Sequence, residues 1–224
     1  MSVISQNLKL IENSIPREDD ITLVAVSKYF PVASIMEAYK AGQRIFGESR
    51  VNELVAKCAE LPSDIKWHFI GHLQTNKVAR LLRVPGLTLI QSVDSLRLLA
   101  EIDKEAAKGG ITVKVLMEVH VAQEETKFGF SAAELEAWFE SRGDEAFPNV
   151  MIMGVMGMAS NTDDEIRVRD DFRNIAACFK SIKEKRSDLA DFNTLSMGMS
   201  GDYLIAIEEG SNMIRVGSAI FEEG

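Results

Sequence analysis

The chain has 224 residues, 46% of them hydrophobic, with 25 lysines and arginines against 34 acids for a formal net charge of −9. That balance argues against a nucleic-acid surface or an anionic-membrane surface, while leaving room for a small anion in one local pocket. No apolar run reaches the length of a membrane span. The opening MSVISQNLKLIENSIPRED lacks the basic and apolar regions of a secretory leader, and Cys58 and Cys178 form no C-x-x-C pair. A reducing, cytoplasmic setting is the expectation.

A helix over about 2–14 opens the chain. The segment ITLVAVSKYFP (21–31) then reads as a buried strand that runs into Lys28 and ends at Pro31. Further apolar, β-branched runs follow near 44–48, 65–71, 87–93, 112–121, 150–158, 193–197 and 213–220. Between them lie helical stretches: VASIMEAYKAG, RVNELVAKCAE, TNKVARLLR, DSLRLLAEIDKEAAKG, SAAELEAWFESRG, DDEIRVRDDFRNIAACFKSIKEKR and GDYLIAIEEG. Repeated βα units imply a parallel sheet covered by helices. Eight strands point to a (β/α)8 TIM barrel forming one domain over residues 1–224. The rival, a doubly wound open sheet, would need a glycine-rich phosphate loop, and the chain has no G-x-G-x-x-G.

In such a barrel the chemistry sits at the C-terminal ends of the strands. Lys28 falls at one, in phase with Val24 and Val26. It is either a surface lysine reaching into water or an amine at the mouth of the barrel. Above an apolar floor an amine is more easily kept neutral, the form that attacks a carbonyl. The segments LSMGMSGD (195–202) and RVGSAIF (215–221) close the last two strands. Their Gly198, Gly201 and Gly217 are either plain turn formers or part of a phosphate site, the usual use of those two loops in this fold. Arg215 shares its phase with Met213 and Gly217, so it calls for a partner such as Glu118 or the ring nitrogen of a pyridoxal cofactor. On strand three, His68 and His72 share a face with Ile70, but no third ligand stands at metal spacing. On strand five, Lys114 and Glu118 read as an internal ion pair, with His120 in the same phase. The methionines of MIMGVMGM read as filling.

The segments VAVSK, FGESRVNEL, WHFIGHLQTNK, SVDS, ETKFGF and LSMGMSGDYLIAIEEGSNMIRVGSAIF, in this order along nearly the whole chain, resemble the pyridoxal phosphate homeostasis proteins. That family looks like the barrel domain of alanine racemase standing alone, fold type III among pyridoxal phosphate proteins. The resemblance implies pyridoxal 5'-phosphate held as an internal aldimine on Lys28, with Arg215 facing the pyridine nitrogen. It implies a phosphate site at Ser196, Gly198, Gly217 and Ser218. The chain departs from the family pattern at Ser49, where Asn is usual, at His120, again where Asn is usual, and at Phe221-Glu222, where a glycine and a basic residue commonly follow the Phe.

These readings lead to a cofactor carrier in intracellular homeostasis, without robust catalysis and with no catalytic or metal-ligating residue assigned. Pyridoxal-phosphate-accepting apoenzymes are the expected partners and a monomer the expected state. The alternative is an amino-acid racemase using the same linkage. A third reading drops the cofactor and makes Lys28 an aldolase-type lysine.

Overall fold

The computed structural model describes residues 2–16, 20–121 and 128–222. Part of the segment ETKFGF, residues 125–127, therefore lies outside the described residues. Eight parallel strands close on themselves in chain order, β1-β2-β3-β4-β5-β6-β7-β8. They are β1 (Thr22–Val26), β2 (Ile45–Glu48), β3 (Lys66–Phe69), β4 (Leu87–Val93), β5 (Val113–Val119), β6 (Val150–Gly157), β7 (Thr194–Ser196) and β8 (Met213–Val216). The helices are α1 (Val3–Ser14), α2 (Val32–Lys40), α3 (Val51–Cys58), α4 (Val78–Leu81), α5 (Leu96–Gly109), α6 (Ala132–Glu140), α7 (Glu165–Lys185), α8 (Tyr203–Glu208) and α9 (Ser218–Phe221). This is the expected (β/α)8 barrel with an extra N-terminal helix.

Strand alternation sorts the side chains into two cores. One phase faces the helices and carries most of the apolar burial: Ala25, Phe46, Trp67, Phe69, Val115, Met117, Val155 and Ile214 pack with Leu54, Leu98, Phe139 and Phe172 from the helices. Each large side chain buried there stabilises the fold by roughly 1.5–3 kcal/mol. The other phase fills the barrel interior with Val24, Leu89, Leu116, Met156 and Met213, flanked by Ile45 and Met153. Two methionines of the 151–158 cluster are thus barrel filling. Helix ends are capped from the sequence: Ser95 accepts from the Leu98 amide at the start of α5, and Ser131 and Glu134 form a reciprocal capping box on α6. Helix α1 buries Ile4, Leu8 and Ile11, and Asn7 Nδ2 donates to the Ile220 carbonyl (3.1 Å), tying the first helix to the last.

Three expectations are corrected. Strand β1 stops at Val26, and Lys28 belongs to the turn that follows. The Phe30 amide bonds back to the Ser27 carbonyl (3.1 Å), and Tyr29 takes φ +70°. Strand β8 stops at Val216, after which Gly217 leads into α9. Lys114 and Glu118 share the interior phase but do not pair. They lie four residues apart on one strand, roughly 13 Å at the usual rise, so Lys114 is exposed at the bottom while Glu118 is buried near the top.

The β5–β6 ladder slips between Val115 and Leu116, whose partners are Ile152 and Gly154. Gly154 holds φ +149° and lies against the backbone of Thr194, where a β-carbon would collide with the Thr194 carbonyl oxygen. The slip therefore depends on glycine. Gly154→Ala should cost about 2–4 kcal/mol, measured by urea unfolding; a loss under about 0.5 kcal/mol would contradict this packing.

Candidate functional site

The top of the barrel is built around a buried guanidinium. Arg215 comes from β8 in the interior phase, two residues above Met213, and is 4% exposed. Its Nη1 donates to the Ser196 carbonyl (2.9 Å) and to Ser196 Oγ (2.7 Å). Its Nη2 donates to the Gly157 carbonyl (3.0 Å). Ser196 Oγ in turn donates to Gln91 Oε1 (2.7 Å), and Gln91 Nε2 lies 2.9 Å from His68 Nδ1. Because Gln91 Nε2 can only donate, His68 Nδ1 accepts, and its proton sits on Nε2. Burial drives the His68 pKa down to about 4, with the Lys66 charge adding to the effect, so the ring is neutral at pH 7.

This chain of bonds fixes what Arg215 has left. A guanidinium has five N–H groups, and three are committed to Ser196 and Gly157. The Nε proton and one Nη2 proton have no acceptor among the described residues. Burial pulls the Arg215 pKa down to about 10, opposed by the charges of Glu118 and Asp202. Arg215 is therefore cationic at neutral pH and can donate hydrogen bonds without releasing a proton.

Lys28 follows the strand that pairs with β8. Strands β1 and β8 pair with Val24 opposite Arg215 and Ala25 opposite Val216. Lys28 follows β1 as Gly217 and Ser218 follow β8. Lys28 Nζ sits 5.9 Å from the Tyr29 ring centroid, and the Arg50 guanidinium carbon is 5.0 Å from the same ring. Alternation would send Tyr29 to the other side of the strand, but its positive φ breaks the pleat. The ring stays at the rim with the lysine, 66% exposed.

The loops after β7 and β8 meet at one oxygen. Ser200 Oγ accepts from the Gly217 amide (3.1 Å) and the Ala219 amide (3.3 Å). The amides of Ser200, Gly201 and Ser218 have no acceptor among the described residues. Gly198 holds φ +91°, and a β-carbon there would come within 2.6 Å of Ala206 Cβ. The loop thus needs glycine at that point. Backbone amides without an acceptor suit an anion. Ser196 takes a different place from the one expected: fully buried, its hydroxyl is shared between Arg215 and Gln91, so it supports the guanidinium. Ser200 occupies the position where the loops converge. The sequence reading passed over Ser200, although it lies inside LSMGMSGD.

The rim is acidic and aromatic. His72 Nδ1 lies 2.8 Å from Asp94 Oδ2, and its ring stacks on Phe128 with centroids 3.9 Å apart. His68 and His72 are therefore engaged by separate partners. Burial lifts the Glu118 pKa to about 7, the Asp94 charge adds to this, and Arg215 partly offsets it. The folded state thus holds a Glu118 proton that the unfolded chain has lost above its ordinary value near 4.5. The stabilisation this proton provides is complete at low pH and disappears as pH rises through about 7. Glu118→Gln should therefore raise stability relative to the parent on going from pH 5 to pH 8, by on the order of 2–3 kcal/mol. Unfolding curves at both pH values test this, and a constant difference would refute the shift.

The alanine racemase N-terminal domain family matches residues 1–223. The pyridoxal phosphate homeostasis protein of Aquifex aeolicus is 37% identical over 227 residues, covering 99% of this chain and 95% of that protein. The Homo sapiens protein of the same name is 37% identical over 209 residues, covering 90% of this chain and 76% of its own length. The structure of PipY from Synechococcus elongatus with PLP bound superposes with a TM-score of 0.87 at 34% identity, covering 97% of this chain and 99% of PipY. The alanine racemase of E. faecalis shares the fold, with a TM-score of 0.72 at 19% identity, and this chain covers 58% of it. The chain belongs to the alanine racemase N-terminal domain family and, within it, to the pyridoxal phosphate homeostasis proteins.

Proposed function

We propose that this protein binds pyridoxal 5'-phosphate through Lys28 as an internal aldimine and serves as a carrier and buffer of the cofactor, without robust turnover. The observation that carries the reading is one juxtaposition. Lys28 follows β1, the strand paired with β8, beside the loops after β7 and β8 that meet at Ser200 Oγ, and Arg215 of β8 keeps two N–H groups without an acceptor among the described residues. The residues fit the cofactor's three features. Lys28 supplies the amine, Gly198, Ser200, Gly217 and Ser218 supply the phosphate loops, and Arg215 supplies donors toward the ring nitrogen, with Ser196 holding Arg215 in place. Bound there, the cofactor supplies an aldehyde that condenses reversibly with the lysine amine and releases water. The PLP-bound PipY structure, at 34% identity over nearly the whole chain, supports this.

The carrier reading rests on what surrounds Lys28. A cationic Arg215 facing the ring nitrogen would leave that nitrogen unprotonated and so weaken a bound ring as an electron sink. A racemase also needs a second base across the substrate carbon. Tyr39 donates its hydroxyl to Asp64 Oδ1 (2.8 Å), Tyr203 shares its hydroxyl with Ser14 (2.9 Å), and Tyr29 lies out on the rim. Losing one positioned acid–base group typically costs 10²–10⁴-fold. Apoenzymes that need the cofactor are the acceptors we propose, served by a monomer in the cytoplasm. No helix among the described residues is long and apolar enough to cross a membrane.

Two outcomes test the proposal. Titration should show pyridoxal binding at least about 100-fold more weakly than pyridoxal 5'-phosphate, since each charge-assisted bond to the phosphate contributes roughly 1.5–3 kcal/mol. Equal affinities would remove the phosphate role from the loops. Incubation with L-alanine, followed by chiral chromatography, should show no D-alanine above background. Turnover of about 1 s⁻¹ or more, the low end for ordinary enzymes, would replace the carrier with a racemase.

A further inference from the structure

A second buried charge centre lies directly behind Lys28, on the helix side of the barrel wall. Lys57 of α3 donates from Nζ to Glu48 Oε1 (2.6 Å) and to the Ser27 carbonyl (2.9 Å). Ser27 Oγ donates to the same Glu48 oxygen (2.7 Å). Glu48 and Ser27 are fully buried and Lys57 nearly so. Glu48 Oε2 has no hydrogen-bond partner among the described residues. Burial raises the Glu48 pKa, and the bonds from Lys57 and Ser27 oppose that rise.

A buried ion pair with one oxygen unsatisfied is a poor source of stability, since well-packed apolar residues do as well or better. Its placement gives it another role. The Ser27 carbonyl accepts both the Lys57 ammonium and the Phe30 amide. That carbonyl belongs to the peptide unit entering Lys28, and its bond to Phe30 closes the turn that holds Lys28. The turn contains Tyr29 at φ +70°, a conformation costing a residue with a β-carbon roughly 1–2 kcal/mol. Such a turn persists only where its surroundings hold it. The Ser27 amide is fixed as well, to the Gly47 carbonyl (3.0 Å).

We infer that Lys57 is a positioning residue for Lys28: its ammonium holds the Ser27 carbonyl and thereby the strained turn that presents the Lys28 amine to an aldehyde. The inference rests on the reading of Lys28 as the attachment point. It predicts a specific separation of effects. Capture of the aldehyde needs the turn in place, whereas binding of the phosphate and ring uses the loops after β7 and β8 and Arg215.

The test compares the parent, Glu48→Gln, Lys57→Met and the double variant Glu48→Gln/Lys57→Met. Glu48→Gln keeps the Lys57 contact to Ser27, and the double variant removes it without leaving a buried unpaired carboxylate. If Lys57→Met alone does not fold, the double variant decides. Stopped-flow absorbance gives the rate of pyridoxal 5'-phosphate capture. Equilibrium titration gives the affinity for pyridoxine 5'-phosphate, the alcohol that cannot condense with an amine. Glu48→Gln should capture within about threefold of the parent. The double variant should capture at least about tenfold more slowly, with pyridoxine 5'-phosphate affinity within about threefold of the parent. Equal capture by the double variant and Glu48→Gln would overturn the assignment. So would an equal slowing in Glu48→Gln, or a parallel loss of pyridoxine 5'-phosphate affinity. Failure of the parent to capture the aldehyde at all would instead sink the proposed function.

Discussion

A guanidinium sealed inside a barrel must have its N–H groups answered, and the upper half of this molecule is arranged around that requirement. Arg215 takes the Ser196 carbonyl and hydroxyl and the Gly157 carbonyl. Each of those groups ends a strand, so the arginine ties β6, β7 and β8 together at their C-terminal ends. The same bonds give the Ser196 hydroxyl its direction, and through Gln91 they set the tautomer of His68. Two donors are left over, and they define what the barrel can hold. A ligand above Arg215 must offer an acceptor that does not need a proton.

The mouth then divides into parts with different physics. The β7–β8 side offers backbone amides, with Gly198 packed against Tyr203 and Ala206 and Gly217 against Val26. The β1 side offers one amine, proposed as the attachment point and carried on a turn rather than a strand. The turn is strained at Tyr29 and backed by a buried ion pair. Asp94 is paired with His72, and Gln91 with Ser196. Glu118 is a carboxyl lifted by burial toward neutrality, with the Arg215 charge opposing the shift.

Much of this was legible in the sequence because βα alternation is a strong periodic signal. Strands, helices, barrel closure and the interior phase of Val24, Met213 and Arg215 follow from apolar patterning alone. Strand ends were not legible. Period-two reasoning extended β1 to Lys28 and placed Tyr29 on the far face, because patterning does not see a positive φ. It also joined Lys114 to Glu118, since shared phase says nothing about height along the barrel axis. Ser196 and Ser200 lie in the same glycine-rich stretch, and only the geometry separates the one that serves Arg215 from the one at the loop junction. The Lys57 anchor did leave a trace: Val51, Leu54 and Lys57 fall at helical spacing on the buried stripe of α3, where a lysine calls for a buried partner such as Glu48.

The most direct test of the account is chemical capture at the mouth. The protein, incubated with pyridoxal 5'-phosphate, is reduced with borohydride, digested and mapped by mass spectrometry. The account predicts one phosphopyridoxyl group, on the peptide containing Lys28. Its appearance on another lysine, with Lys28 unmodified, would contradict the assignment on which the rest of the site depends.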